Sequence, residues 1–219
     1  MYTAVLFDMD GVLIDSEPGY NRADAVWFEE LGIPFGKREI AAITGANDIV
    51  IGRMMKQWHP HLPYTAEELA AQYADNLFVS LSRDVTALID GADAWLPALR
   101  KHGVRLGLGS SSTRRMVSYI AEKFYLDRRM ECIVTGDDVP LGKPHPDIYL
   151  RCAELLRVAP AECLVIEDSI NGILAAHAAG MKVAAFTGTN RHNLNLGEAD
   201  FSFGAFDADA FQTLLGVAM

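Results

Sequence analysis

The sequence predicts an α/β protein in which a parallel sheet is covered by helices on both faces and interrupted by an inserted all-helical unit. Three observations carry that expectation. Short apolar runs rich in Val, Ile, Leu and Ala recur along the chain, segments of helical period lie between the later runs, and Ser16 to about Val85 shows helical pattern alone. Strict alternation of strand and helix implies parallel strands joined by right-handed crossovers.

The strands are expected at Ala4 to Phe7, Val104 to Gly109, Cys132 to Thr135, Cys163 to Ile166 and Lys182 to Phe186. Helices are expected at Asp93 to Lys101, Arg114 to Phe124, Asp147 to Leu156 and Ile170 to Ala179, the last closed by Gly180. In the insert, the first helix carries Ala23, Val26, Trp27 and Leu31 on one face and stops at Gly32. Thr65 with Glu68 forms a capping box that starts another helix at "TAEELAAQYA". The organisation is therefore a discontinuous core, residues 1–15 and 85–219, around a helical unit, residues 16–84. Because the insert follows the first strand directly, it is expected above that strand's carboxyl end, where open α/β sheets bind ligands.

Half of the 219 residues are hydrophobic and 22% are charged, the balance of a globular chain rather than a disordered one. A net charge of −10 with no basic stripe argues against nucleic acid as a partner. Asp8 interrupts the first apolar stretch early and no basic segment precedes it, so neither a signal peptide nor a membrane span is expected. Cys132, Cys152 and Cys163 are odd in number and far apart, which fits free thiols in a reducing cytoplasm.

Candidate chemistry gathers at predicted strand ends. Asp8 and Asp10 follow the first strand in "VLFDMDGVLIDSEP", Ser110 follows "VRLGLG", Lys143 stands in "GKPHPD", and Glu167 with Asp168 follows "CLVI". Two carboxylates about 4 Å apart repel by ~4 kcal/mol at an effective dielectric near 20, and one lysine does not offset four of them. A hard divalent cation does, and oxygen ligation with few carboxylates suits Mg²⁺. A cation, an ammonium group and a hydroxyl around a carboxylate make a site for a phosphoryl group, with Asp8 as nucleophile and Asp10 as the acid that protonates the leaving oxygen.

With "DMDGVL", a strand ending in Ser110, "GKPHPD" and "EDSINGI" in this order, the chain resembles the haloacid dehalogenase superfamily over nearly its whole length, in the branch with a helical cap that holds the β-phosphoglucomutase-like phosphatases. The resemblance implies a three-layer Rossmann-like core with a helical cap. It implies phosphorylation of Asp8, acid and base work by Asp10, and phosphate binding by Ser110 and Lys143. Mg²⁺ would be held by Asp8, the Asp10 carbonyl and Asp168, with Glu167 assisting directly or through water. The expected activity is hydrolysis of a small soluble phosphomonoester, such as a sugar phosphate. A mutase is the alternative within the same branch. Against it, "DSEPGYNRA" has no histidine in the first cap segment and "TGANDIV" has Asp48 where the subgroup has arginine, although Arg22, Arg53 or Lys56 could supply a cation. A non-catalytic binding or regulatory module is the third reading, and it needs loss of function without loss of residues.

Each residue also has a plainer role. Asp8 and Asp10 could end a strand ahead of a turn at Gly11, Asp168 could cap the helix from Ile170, and Ser111 and Ser112 read as caps of the helix that follows them. Lys143 could be a surface lysine. His59 and His61 in "WHPHLP" lack a third ligand and read as a solvated loop, and His145 lacks a named partner. "GLG" at Gly107 to Gly109 lacks the third glycine of a dinucleotide fingerprint and reads as a place where backbone approaches phosphate or a helix. Asn47, Arg53 and Glu17 are the candidate substrate contacts in the insert.

Overall fold

The computed structural model describes residues 2–34, 36–43, 48–189 and 195–219; Asn47 lies outside them. In chain order the elements are β1 (Ala4–Phe7), α1 (Glu17–Glu30), α2 (Lys37–Ile43), α3 (Asp48–Trp58), α4 (Ala66–Asp84), α5 (Ala92–Lys101) and β2 (Arg105–Gly109). They continue with α6 (Arg114–Lys123), β3 (Cys132–Val134), α7 (Asp147–Leu156), β4 (Cys163–Glu167), α8 (Ile170–Ala178), β5 (Lys182–Phe186), β6 (Phe201–Phe203) and α9 (Ala208–Leu215). The chain divides into two compact units, Met1–Asp15 with Ala87–Met219, and Ser16–Thr86.

The first unit holds a six-stranded, all-parallel sheet in the order β3-β2-β1-β4-β5-β6. Side chains alternate across it. Val183 and Ala185 enter a core with Ile148, Cys152 and Leu156 of α7 and Ile173 and Ala176 of α8. Phe186, one residue on, faces the other way and meets Phe203 and Phe206 at 5.2 and 4.8 Å. Trp95 of α5 stacks on Phe203 and meets Phe211 of α9 edge-on, while its indole N–H donates to the Asp207 carbonyl. The sheet is thus the middle of three layers. Gly109 has no side chain because a Cβ there would stand 2.8 Å from Ile148 Cγ2 of α7, which settles the "GLG" stretch in favour of close helix packing.

The strand β6 and the helix α9 have no counterpart in the sequence expectations. "FSF" is three residues long, and its pairing with β5 comes from the aromatic cluster rather than from any local signal. Of the other expectations, Ala4 to Phe7, Lys182 to Phe186 and Asp147 to Leu156 match the structure at both ends, and the rest differ by one or two residues at an end.

Among the described residues, the regular elements of the second unit are all helices, α1 to α4. Its core joins Trp27 and Phe28 of α1, Ile43 of α2, Ile51 and Met55 of α3, and Leu69 and Tyr73 of α4. The capping box at the start of α4 is formed in both directions: the Glu68 N–H donates to Thr65 Oγ1 at 3.1 Å and Thr65 N–H to Glu68 Oε2 at 2.8 Å. Two of the candidate insert cations are engaged inside this unit. Arg22 pairs with Asp84 at 2.6 Å, and Lys56 donates to the Pro60 and Leu62 carbonyls, tying down the turn that follows α3.

Asp24 is buried in this unit and accepts from the Tyr73 hydroxyl at 3.0 Å. Burial pushes its carboxyl up to about 6, against the ordinary 3.8, and the Tyr73 hydrogen bond only partly offsets this. A folded-state value above the unfolded one gives stability that is full below about 3.8 and is lost as pH rises through about 6. Asp24→Asn keeps an acceptor for Tyr73 and removes the charge. It is expected to gain about 2 kcal/mol at pH 7.5, after allowance for partial solvation, and nothing at pH 3.5. Urea midpoints of both proteins at the two pH values check this; an equal gain at both would exclude the charge as the cause.

Candidate active site

The register of the sheet aligns the carboxyl ends of the strands that carry the candidate residues. Phe7 pairs with Leu108 on one side and Ile166 on the other, so Asp8, Gly109 with Ser110, and Glu167 leave the sheet at the same level. The order of the strands reverses at β1 and β4, and Asp8 and Glu167 stand at that switch point.

Lys143 bridges the two strands. Its ammonium lies 2.6 Å from Asp8 Oδ1, 2.6 Å from Glu167 Oε1 and 3.0 Å from the Gly109 carbonyl, which accounts for its three N–H donors. Asp8, Lys143 and Glu167 are all buried. The plain reading of Lys143 as a surface lysine is overturned.

The turn after β1 brings the second carboxylate pair into place. Gly11 sits at φ +74°, and a Cβ there would fall 1.8 Å from Asp168 Oδ2, so only glycine lets Asp168 approach the backbone beside Asp10. The Thr189 hydroxyl donates to the Gly11 carbonyl at 2.6 Å and steadies the turn. One oxygen each from Asp8, Glu167 and Asp168 lie within 4.8 Å of one another, the one such cluster of three potential metal ligands among the described residues. His59 and His61 pack ring against ring at 5.8 Å and belong to no such cluster.

Glu167 is completely buried and its two oxygens are crowded with donors. Oε1 accepts from Lys143 and from the Tyr149 hydroxyl at 2.7 Å; Oε2 accepts from the Asp168 N–H, the Ser169 N–H and the Ser169 hydroxyl. Gly172 is required beside it, since a Cβ there would fall 1.8 Å from the Glu167 carboxyl. The helix α8 is capped by Ser169, whose hydroxyl accepts from the Gly172 N–H at 3.0 Å, and not by Asp168. Asp168 is left to face the acid cluster.

The serine run after β2 divides its work differently from the sequence reading. Thr113 caps α6, because the helix starts at Arg114 and only Thr113 is placed to accept from the Met116 N–H. Ser110 is fully buried, and its hydroxyl accepts from the Ser112 N–H and lies 3.5 Å from Asp10 Oδ2. Ser112 is not a cap: its hydroxyl donates to Asp10 Oδ2 at 2.7 Å. Ser112, Tyr149 and Thr189 are the neighbours of the site that sequence reasoning missed. A third serine in a row is the only local signal any of them carries.

The electrostatics follow from burial and crowding. Burial, with Glu167, Asp10 and Asp168 nearby, holds the Asp8 carboxyl well above the usual carboxylate range despite Lys143. Burial and the Glu167 and Asp10 charges push Asp168 up to about 7. Glu167 is also opposed by burial, but Lys143 and its hydrogen bonds hold it below the usual range. The Lys143 ammonium, destabilised by burial, is raised above its ordinary value by Asp8 and Glu167. The pocket is therefore short of positive charge, and its donors are all hard oxygens. A Mg²⁺ ion fits that donor set.

Residues 2–180 match the family model of haloacid dehalogenase-like hydrolases. The chain is 31% identical over 182 residues to hexitol phosphatase B of Escherichia coli strain K12, covering 82% of this chain and 81% of that protein. It is 31% identical over 203 residues to validoxylamine A 7'-phosphate phosphatase of Streptomyces hygroscopicus subsp. limoneus, covering 91% and 92%. The fold superposes on CbbY from Rhodobacter sphaeroides, solved in complex with phosphate, with a TM-score of 0.78 at 24% identity over 94% of this chain and 95% of that one.

Proposed function

The chain belongs to the haloacid dehalogenase-like hydrolases and is a phosphoric monoester hydrolase, and from that premise we propose that it is a Mg²⁺-dependent phosphatase of small phosphorylated metabolites, such as sugar phosphates, working through an aspartyl phosphate on Asp8. The observation that carries this reading is the Asp8 carboxylate, buried 2.6 Å from the Lys143 ammonium and set in a cluster of acidic oxygens at the strand ends.

In this reading Asp8 Oδ1 or Oδ2 attacks phosphorus in line with the leaving oxygen, and Lys143 and the Ser110 hydroxyl hold the phosphoryl oxygens. Asp10 gives a proton to the leaving alcohol and then takes one from the water that hydrolyses the aspartyl phosphate. The Ser112 hydroxyl bonded to Asp10 Oδ2 aims that carboxyl and is on hand as its partner in both steps. Asp8, Asp168 and the Asp10 carbonyl would hold Mg²⁺, which supplies the positive charge that screens the approaching phosphoryl oxygens from the carboxylates. Glu167 stands in the same oxygen cluster. With five donors on its two oxygens, its assigned share is to steady Lys143 and, at most, to reach the ion through water.

The helical unit, inserted directly after β1, is assigned the part of a cap that excludes water during transfer, and specificity is assigned to it. Arg53 and Glu17 remain its proposed substrate contacts. The three free, buried cysteines suit a reducing compartment such as the cytoplasm, and among the described residues no helix is long and apolar enough to cross a membrane. Nothing in the charge balance favours nucleic acid.

A panel of phosphorylated metabolites assayed for phosphate release, with Mg²⁺ and after chelation, tests the proposal. Release is expected with Mg²⁺, to fall at least ~100-fold on chelation and to return on adding the ion back. Undiminished release in chelator would remove the metal from the reading. Following isomer conversion in the same reactions separates the mutase, because conversion without net release would favour it.

A further inference from the structure

We propose that Tyr149 is the positioning residue for Lys143, holding its ammonium in place through the shared Glu167 oxygen and through the face of its own ring. The kinetic side of this rests on the phosphatase reading above; the geometric side does not.

Tyr149 is completely buried on α7, where an aromatic side chain in an apolar core needs no further role. Two contacts set it apart from core filling. Its hydroxyl donates at 2.7 Å to Glu167 Oε1, the same atom that Lys143 reaches at 2.6 Å. Its ring centroid lies 4.8 Å from the Lys143 ammonium, within range for a cation–π attraction that is strongest where water is excluded. A phenol in this core would cost a desolvated hydroxyl if it found no acceptor, and the acceptor it finds is the carboxylate that anchors the lysine.

The consequence appears when Asp8 takes up phosphorus. Of the three acceptors around Lys143, Asp8 Oδ1 is the one that a phosphoryl oxygen must replace, leaving the Gly109 carbonyl and Glu167 Oε1 as the fixed points. The Gly109 carbonyl belongs to the rigid end of β2. Glu167 Oε1 is a side-chain oxygen, and apart from Lys143 the hydrogen bond that fixes it is the one from Tyr149. Without that bond Oε2 stays anchored by Asp168 and Ser169 while Oε1 is held by Lys143 alone, so the carboxylate can pivot about Oε2 and let the ammonium drift from the phosphoryl position.

Tyr149→Phe removes one oxygen and keeps the ring. It is expected to lower kcat/KM about tenfold to a hundredfold, the worth of a hydrogen bond to a charged group, and to raise the inhibition constant of inorganic phosphate about tenfold. Tyr149→Met, which also loses the ring, is expected to lower kcat/KM further. A second readout needs no substrate: acetic anhydride labelling of Lys143, measured by peptide mass spectrometry against exposed Lys101 in the same digest, is expected to speed up several-fold in either variant. Unchanged Lys143 labelling and an unchanged phosphate constant in a folded variant would overturn the proposal, and a fall in kcat alone that follows lost folded protein would reduce Tyr149 to core filling. If the wild-type protein turned over no phosphoester, the phosphatase reading would fall while the labelling still decided the role of Tyr149.

Discussion

Asn in place of Asp8 is expected to lower kcat at least ~10⁴-fold while leaving the melting temperature unchanged or higher. An amide at this position has no nucleophilic oxygen to offer phosphorus, and a drop of that size corresponds to about 5.5 kcal/mol of lost transition-state stabilisation. Stability moves the other way for a separate reason. Burial first, and then the nearby Glu167, Asp10 and Asp168 charges, hold the Asp8 carboxyl well above the usual carboxylate range. A neutral amide avoids the cost of burying the charge and relieves the repulsion, and Lys143 keeps Glu167 and the Gly109 carbonyl as partners. Steady-state turnover and a thermal melt on the same preparation check both halves. Turnover within tenfold of wild type would exclude Asp8 as the attacking group, and a large fall in melting temperature would mean that the Lys143 pair holds the strand ends together.

Lys143→Met carries the second large effect, on stability and activity together. The side chain fits the space of the lysine stem but leaves Asp8 Oδ1 and Glu167 Oε1 buried with no cation between them. Removing one partner of a buried ion pair costs about 3–5 kcal/mol, because the remaining charge keeps its desolvation penalty. The loss is expected to be full at pH 8 and smaller at pH 5. Without Lys143 the Asp8 carboxyl rises further and Glu167, otherwise held below the usual range by that ammonium, is released upward; groups with raised folded-state values give stability that is present at low pH and lost as pH climbs through them. kcat/KM is expected to fall at least ~10³-fold, since a phosphoryl group loses its ammonium partner. Denaturant midpoints at the two pH values read the first effect. A variant as stable as wild type at pH 8 would show that the two carboxylates do not depend on the lysine.

The contrast between these variants and Tyr149→Phe explains which parts of the site were legible beforehand. Asp8, Asp10, Glu167 and Asp168 each follow an apolar run that ends abruptly in acid, and such a break is a local signal that survives without any structure. Lys143 was legible through its setting between Gly142 and Pro144 and through the family resemblance of "GKPHPD". Tyr149 sends no such signal, because an aromatic at a buried helix position is what any amphipathic helix contains. Ser112 carries only the local signal of a cap, as serines before a helix do; the first turn of α6 begins one residue later than such a cap needs, so Thr113 takes the cap and Ser112 is released to Asp10.

By itself the sequence determined the alternation of strands and helices as far as β5, the parallel direction of those strands, the helical pattern of the insert and the acidic nature of the strand ends. Those properties are written in the period and sign of neighbouring residues, and neighbours are all that a sequence displays. The tertiary structure decided which atoms meet: that Asp10 shares a hydrogen bond with Ser112, 102 residues away, that Glu167 spends its oxygens on Lys143, Tyr149 and Ser169, and that a three-residue strand finds a sheet edge among aromatic rings. Such meetings depend on strand register and on how closely α7 packs on Gly109, quantities set by the whole core at once and by no stretch of chain alone.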